Sequence, residues 1–275
     1  ARDYLSVILA RAQHSPVDSW TSWWLDGCPF RLGRLSVERA ERLSVALPAD
    51  APLARVGGHY LWHAAHLSAS ERSEMLQSIA EELRNHGLIT GWRGEAFSTW
   101  GHRQDSWPYE QPELFRLERA AFRYFGLRSH AVHVHGLGHD GRMWCGRRSL
   151  SKAIDPDRLD NLAAGGVGAG ETPRRCALRE LWEEAGVSAA IARRVDFPGM
   201  VIRSLRETTF GLHDELVIVA DLVLPADFQP IGRDGEVEFF ACLDRGAVEA
   251  ALAAEEFTVE AALAIRESLD RRAPA

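Results

Sequence analysis

Apolar and polar positions follow two different rhythms along this chain, and the change falls near residue 127. Before it, Trp20 to Phe30 and Leu53 to Trp62 are aromatic and branched runs interrupted by glycine, which predicts extended segments. Helical spacing covers Ser36 to Leu47 and again Ser68 to Asn85. The second of these opens with the capping box Ser68-Ala69-Ser70-Glu71 and stops at Gly87. Glu113 to Phe125 carries a third amphipathic pattern ending at Gly126 and is expected as a helix. The stretch from Gly91 to Gln111, with three tryptophans and a tyrosine and no clear period, is expected as a long ordered loop. After residue 127, Ser129 to Gly138 and Arg142 to Arg148 predict two strands joined at the turn His139-Asp140-Gly141. Val195 to Arg206, Glu215 to Leu224 and Glu236 to Leu243 predict further strands. Ala247 to Ala254 and Thr258 to Arg271 predict closing helices. The pattern divides the chain into residues 1–126 and 127–275.

The segment with the most chemistry is Gly165 to Val187, GGVGAGETPRRCALRELWEEAGV. Thr172 and Pro173 suit the start of a helix, as hydroxyl cap and first helical residue, and Gly186 suits its end. Between them Glu180, Glu183 and Glu184 stand at i, i+3 and i+4, so three carboxylates share one face. Like charges so placed weaken an isolated helix. A divalent cation with a preference for hard oxygen ligands reverses that penalty. Ala177, Leu178, Leu181 and Val187 supply an apolar side for packing on a sheet. An acidic helix face alone is ordinarily a solvated surface. Here the glycine loop, Glu171 and Arg179 stand in register with it and favour cation binding.

The same segment fits G-x5-E-x7-R-E-U-x-E-E-x-G-U, with U bulky and apolar, at Gly165, Glu171, Arg179, Glu180, Leu181, Glu183, Glu184, Gly186 and Val187. It resembles the Nudix box, so the carboxyl-terminal part is similar to the Nudix hydrolases, which cleave diphosphates attached to another group. The resemblance implies an α/β fold, an α/β/α sandwich, here with a smaller α+β amino-terminal domain. It also implies Mg2+ as cofactor, with Mn2+ as an alternative, and a backbone carbonyl near Gly165 facing the metal. Glu180 and Glu184 are the expected metal ligands. Glu183 is either a third ligand or the group that deprotonates water. Arg179 and Glu171 are expected to hold and orient the box carboxylates.

A particular Nudix subgroup is suggested by Leu114 to Ala121, Phe125-Gly126, Val132 to Gly136, Arg148-Ser149, Lys152 and Leu159 to Gly166. Its members carry an extra amino-terminal domain, and in fungi a similar module is fused to thiamin pyrophosphokinase. They are associated with thiamin diphosphate and its oxidised, damaged analogues, which they trim to monophosphates. His135 departs from the asparagine more usual in such relatives. The alternative substrates are ADP-ribose or another nucleoside diphosphate derivative. The non-hydrolytic alternatives are a ligand-binding module and a prenyl diphosphate isomerase, the latter needing a cysteine such as Cys145 or Cys176 in the pocket.

Outside the box, Arg147, Arg148 and Lys152 are candidates to hold the terminal phosphate, against an ordinary reading as a basic strand end. Glu215, Glu236 and Glu238 are candidates for an extra carboxylate or base, against ordinary strand-end charge. His133 and His135 share a strand face and, with His139, superficially resemble a zinc site, although core or substrate-contact histidines are the simpler expectation. Trp92, Trp100 and Trp107 could stack on a flat cationic ring.

Composition adds mainly exclusions. A net charge of -7 and a pI near 5.9 argue against general affinity for nucleic acid or anionic membranes. No apolar run approaches the roughly 20 residues of a membrane helix. The opening residues, with Leu5, Ile8 and Leu9 at helical spacing, are too short a stripe for a signal sequence. Four scattered cysteines without a C-x-x-C pair suit reduced thiols and a cytoplasmic setting. The expected partner is a small-molecule diphosphate. The amino-terminal domain is expected either to roof the pocket and shape specificity or to build a homodimer interface.

Overall fold

The computed structural model describes residues 19–100, 111–152 and 154–272, so the amino-terminal apolar stripe and Trp107 lie outside the described residues. Strands β1 (Thr21–Leu25), β2 (Arg31–Leu35), β3 (Leu53–Val56) and β4 (His59–Trp62) form a sheet of order β2-β1-β4-β3. In it β1 and β4 run parallel and the other neighbours antiparallel. Gly57 and Gly58, both at positive φ, fold the expected extended run over 53–62 into the hairpin β3–β4. Helix α1 (Val37–Ala46) starts at Ser36, whose hydroxyl accepts the Arg39 N–H. Helix α2 (Ala69–Asn85) has the expected capping box: Ser68 Oγ accepts the Glu71 N–H, and the Glu71 carboxylate accepts the Ser68 N–H at 2.7 Å. Trp23, Trp62, Phe115, Phe122 and Phe125 fill the core here, Trp62 meeting Phe115 edge-on at 6.0 Å between ring centres.

The expected helix over 113–125 is half strand. Strand β6 (Phe115–Glu118) pairs with β5 (Ala96–Thr99), which lies inside the expected loop, and helix α3 (Arg119–Tyr124) then follows. Phe115 and Leu117 point inward and Arg116 outward, a period of two that pairing with β5 selects over the helical period.

The second sheet has seven strands: β7 (Arg128–Leu137), β8 (Met143–Arg148), β9 (Leu159–Asp160), β10 (Ala163–Gly166), β11 (Val201–Thr208), β12 (Gly211–Val223) and β13 (Val237–Leu243). The order is β11-β12-β7-β8-β13, with β10 also pairing with β7 and β9 with β8. β12 lies parallel to β7 and the remaining pairs are antiparallel. Every residue of β7 is buried because both faces of the sheet are covered. Helix α4 (Pro173–Ala185) packs Cys176, Ala177 and Leu181 against Val132, Val134, Ile218 and Ala220 on one face, and the short α5 (Ala189–Ala192) follows it. Helices α6 (Arg245–Ala253) and α7 (Val259–Arg271) cover the other face, Leu263 and Ala264 meeting Ile202, Val217 and Val219. This is the α/β/α sandwich the resemblance implies.

The two sheets are joined closely. Trp23 Nε1 donates to the Phe125 carbonyl at 3.1 Å, and the Arg34 N–H donates to the Gly126 carbonyl at 3.1 Å. Gly126 sits at φ +58, and a Cβ there would lie 1.9 Å from the Arg34 carbonyl oxygen, so no other residue fits without moving β2.

Candidate active site

Helix α4 is bounded as its sequence predicts. Thr172 Oγ1 accepts the Arg175 N–H at 3.3 Å, Pro173 opens the helix, and Gly186 closes it at φ +65. That registration turns Glu180, Glu183 and Glu184 toward the loop of residues 165–171. Arg179 ties Glu180 and Glu183 to that loop, while Glu184 accepts the Ala164 N–H. The Arg179 guanidinium donates to both oxygens of Glu171 at 3.0 Å, to Glu180 Oε1 at 2.6 Å, to Glu183 Oε2 at 3.2 Å and to the Gly166 carbonyl at 3.2 Å. Glu171 also accepts the Gly168 N–H at 3.1 Å, which fixes the loop from within. Gly165 must be bare, because a Cβ there would fall 1.8 Å from Glu180 Oε1. Its carbonyl, expected at the metal, accepts the Cys176 thiol at 3.5 Å.

Glu180 and Glu184 are buried, whereas Glu183 is 43% exposed. Burial pushes the Glu180 carboxyl up to about 7 against the opposing pull of Arg179. Glu184 is pushed well above the usual range by burial and the nearby Glu180, although it accepts the Ala164 N–H at 2.8 Å. Ligand atoms of Glu184, Asp234 and Glu236 also lie within 4.8 Å of one another. Closely spaced oxygen donors with more negative charge than their own cations neutralise are a donor set that fits a hard divalent cation. Glu236 additionally contacts Lys152; burial pushes its carboxyl up, but that hydrogen bond together with the charges of Lys152, Arg148 and Arg93 outweighs burial and holds it below the ordinary value.

Two cavities flank the glycine loop. One, of about 570 Å³, lies over Glu171, Arg179, Glu180, Glu183, Asp234 and Glu236. The other, of about 430 Å³, is lined by His133, Arg148, Gly165, Glu215 and Glu260 among others. At its polar end Glu215 accepts the Ser129 hydroxyl at 2.9 Å, His213 Nε2 lies 3.0 Å from Glu260 Oε1, and Arg206 contacts the same carboxylate. Burial pushes Glu260 up, but the His213 hydrogen bond and charge, with those of Arg206, hold it well below the usual range. Arg206 thus already supplies the positive charge that a cation among His213, Glu215 and Glu260 would bring.

Other expected site residues are distributed unevenly. Arg148 lines the smaller cavity, held by Asp160 at 3.1 Å and by the carbonyls of Ile154 and Asp155. Arg147 lines neither cavity; it donates to the Asp157 carbonyl and to Glu256. Glu238 is exposed and outside both cavities, because the register of β13 against β8 shifts between Val237 and Phe239 and turns it outward. His133 and His135 do not form a zinc pair. They bracket Asn161, His133 Nδ1 lying 2.7 Å from its Oδ1 and His135 Nδ1 2.9 Å from its Nδ2, while His139 is exposed on the turn. Trp100 is buried edge-on to His130, and Trp92 lies under the Arg84 guanidinium, and neither lines either of these two cavities. Asp234, His213, Glu260, Phe97 and Arg119 were not expected at the site. Asp234 carries one weak signal, an Asp-Gly turn just before Glu236. The others are assembled by topology.

An oxygen-donor cradle on a helix beside a glycine loop, set in an α/β/α sandwich, defines the class of this domain. The chain belongs to the Nudix superfamily: the NUDIX domain model matches residues 127–263. A second model, for a domain of unknown function (DUF4743), matches residues 59–129. The chain is similar to the chloroplastic Nudix hydrolase 24 of Arabidopsis thaliana, 34% identical over 187 residues, which is 67% of this chain and 49% of that protein. It is 35% identical to the chloroplastic Nudix hydrolase 20 of the same plant over 189 residues, 68% of this chain and 49% of that protein. It is 28% identical over 219 residues to the Saccharomyces cerevisiae protein YJR142W, 73% of this chain and 62% of that protein. The chain therefore spans about half the length of the two plant relatives it matches. Among the described residues no helix is long and apolar enough to cross a membrane.

Proposed function

We propose that the chain is a Mg2+-dependent diphosphohydrolase that converts thiamin diphosphate, or its oxidised analogues, to the monophosphate and inorganic phosphate. The observation that carries this reading is the convergence of Glu180 and Glu183 under Arg179, and of Glu184 at the Ala164 N–H, beside the glycine loop and a cavity of about 430 Å³ for an organic group. In the reaction, a water oxygen bonds to the terminal phosphorus, the P–O–P bridge breaks, and the bridging oxygen leaves with the monophosphate.

Glu180 and Glu184 would hold the Mg2+, or Mn2+ in its place, with Glu183, Glu236 and Asp234 around them. Bound there, the ion supplies charge neutralisation at the phosphates and a more acidic water. Glu183 is the most exposed of the three helix carboxylates and would be the one to take a proton from the attacking water. Arg179 fixes the direction of Glu180 and Glu183 and so reduces the reorganisation needed when the phosphates gather charge.

Within this reading, the resemblance to the thiamin-associated subgroup favours thiamin diphosphate. So does the polar end of the smaller cavity, where the Glu215 carboxylate beside Ser129 suits a cationic, amino-bearing heterocycle. ADP-ribose and other nucleoside diphosphate derivatives are the second reading, supported by the general class of the site. Isomerase chemistry has less support. Cys145 is fully buried and its thiol is pushed up to about 12 by burial and then by Asp160, and neither it nor Cys176 lines either of the two cavities at the glycine loop.

The test is Mg2+-dependent phosphate release from thiamin diphosphate, its oxidised forms, ADP-ribose and nucleotide sugars, with phosphatase coupling where the products are phosphomonoesters. Release from a thiamin compound that disappears in Glu184→Gln is the expected outcome. Turnover of ADP-ribose alone would remove the thiamin assignment, and undiminished turnover in Glu184→Gln would remove the assignment of the helix carboxylates.

A further inference from the structure

The two cavities meet at Phe97, Arg119 and Gly166, and two of these three residues precede residue 127. We propose that Arg119, with Arg93 lining the same smaller cavity, grips the diphosphate as it passes from the organic cavity to the carboxylate cluster. The segment ahead of the Nudix domain thereby supplies the cations that complete the site. The proposal rests on the diphosphohydrolase reading above and extends it to residues outside the Nudix box.

The first argument is one of charge and reach. A substrate with its heterocycle in the smaller cavity and its terminal phosphorus at Glu180 and Glu184 has its anionic linkage at the junction, where Arg119 lines both cavities. Several of the other cations around the two cavities are already engaged, and Arg123 lines the smaller cavity alone. Arg179 is shared among Glu171, Glu180 and Glu183, and Arg148 is held by Asp160 and two carbonyls. Lys152 contacts Glu236, and Arg206 contacts Glu260. Arg175 lines the acidic cavity alone.

Arg119 is differently placed. Its Nη1 donates to Glu95 Oε2 at 2.6 Å, but the two side chains are 41% and 57% exposed, so the pair is weak and a phosphate can displace the carboxylate. The Arg93 guanidinium is exposed, makes no ion pair within 4.0 Å among the described residues, and lies close enough for its charge to act on Glu236. A planar fork that can donate two parallel hydrogen bonds to a phosphate is what arginine offers at such a position.

The second argument is rigidity. Buried Glu118 accepts the Arg93 N–H at 3.0 Å and the Ala120 N–H at 3.3 Å with the same oxygen, and the Arg119 N–H donates to the Glu95 carbonyl at 2.8 Å. One carboxylate therefore fixes the backbone at Arg93 and at the start of α3, holding the two arginines in constant relation. The segment is in turn fixed on the glycine loop. The Ala169 N–H donates to the Ala96 carbonyl at 2.8 Å, and Phe97 packs on Gly166 with the Arg119 guanidinium 5.6 Å from its ring centre.

The test uses the 275-residue chain and imidodiphosphate, a diphosphate mimic with a P–N–P bridge, titrated calorimetrically in the presence of Mg2+. Arg119→Ala is expected to weaken binding about tenfold or more, with Arg119→Lys recovering part of the loss because it restores charge without the fork. Arg93→Ala is expected to weaken it about threefold. Arg42→Ala, at an exposed pair on α1, serves as the unaffected control. In turnover of a diphosphate substrate, Arg119→Ala should raise KM by a larger factor than it lowers kcat. Wild-type affinity in Arg119→Ala overturns the proposal. Should that variant fail to fold, wild-type affinity in both Arg119→Lys and Arg93→Ala overturns it equally. Absence of imidodiphosphate binding by the parent chain overturns this proposal together with the diphosphohydrolase reading. Parent binding that is unchanged in the variants overturns this proposal alone.

Discussion

Arg179 and Glu171 meet through two parallel hydrogen bonds, Nε to Oε1 and Nη2 to Oε2, each 3.0 Å long. The pair links α4 to the glycine loop, and the same guanidinium aims Glu180 and Glu183. Arg179→Lys keeps the charge and removes the fork, so the loop and the carboxylates lose their common reference. We expect kcat to fall between about 10-fold and 100-fold with little change in thermal midpoint, read from turnover and a melting curve on the same preparation. A kcat equal to that of the parent would show that Arg179 only decorates the helix.

Gly166 and Phe97 are a second coupled pair. A Cβ on Gly166 would lie 2.4 Å from Phe97 Cζ, so Gly166→Ala must displace the ring that docks β5 on the site. Activity and stability should both fall, with a stability loss of about 1–3 kcal/mol for overpacking. The double variant Gly166→Ala with Phe97→Ala should lose less stability than the sum of the two single losses, because the clash disappears. A strictly additive double mutant, measured by urea denaturation, would exclude direct contact.

What the sequence revealed follows the physics of local spacing. Three glutamates at i, i+3 and i+4 must share a helix face, and Thr172, Pro173 and Gly186 mark the ends of that helix. Both facts were legible without a structure, as were the hairpin β7–β8 and the capping box of α2. The region 113–125 was not, because Leu114, Phe115, Leu117, Ala120 and Ala121 satisfy both a helical and a strand period until β5 is known to pair there. Glu238 was misplaced for a related reason. Alternation puts it on the same side as Glu236, and the irregularity in β13 breaks that alternation. Arg93 and Arg119 were invisible, since they reach the site only after two sheets have docked, and Asp234 was marked only by its Asp-Gly turn.

Asp214 offers a test of that docking. Its carboxylate, 2% exposed, accepts from Arg128 Nε at 3.2 Å and from Arg203 Nε and Nη2 at 2.9 and 2.7 Å. Arg31 and Arg34 of β2 face the same cluster, and burial, followed by the charge of Arg34, pushes Arg31 down to about 10. Asp214→Asn removes the negative charge and leaves buried guanidiniums uncompensated. Unfolding stability should drop by about 3–5 kcal/mol, and Arg203→Met in the same chain should return part of it. Chemical denaturation of the two single variants and the double variant decides the matter.

His130 and His135 predict the acid side of the stability curve. Burial, followed by the charge of Arg128, pushes His130 down to about 3, and burial pushes His135 down to about 4. For His135 the geometry is that of a neutral ring: its Nδ1 accepts the Asn161 amide at 2.9 Å, and its Nε2–H donates to the Ala264 carbonyl at 3.2 Å. Both folded values lie below the unfolded value near 6.5, so the unfolded chain binds these protons first. Stability from each is therefore complete above about pH 6.5 and is lost as pH falls toward the folded values, about 2 kcal/mol apiece by about pH 5. His135→Asn cannot take up the proton. Its stability should consequently change less than the parent's between about pH 7.5 and about pH 5, by roughly that 2 kcal/mol. Comparing the two pH differences cancels the other carboxyl and imidazole groups. Equal losses in parent and variant would mean that His135 titrates alike in the folded and unfolded chains, contrary to its burial.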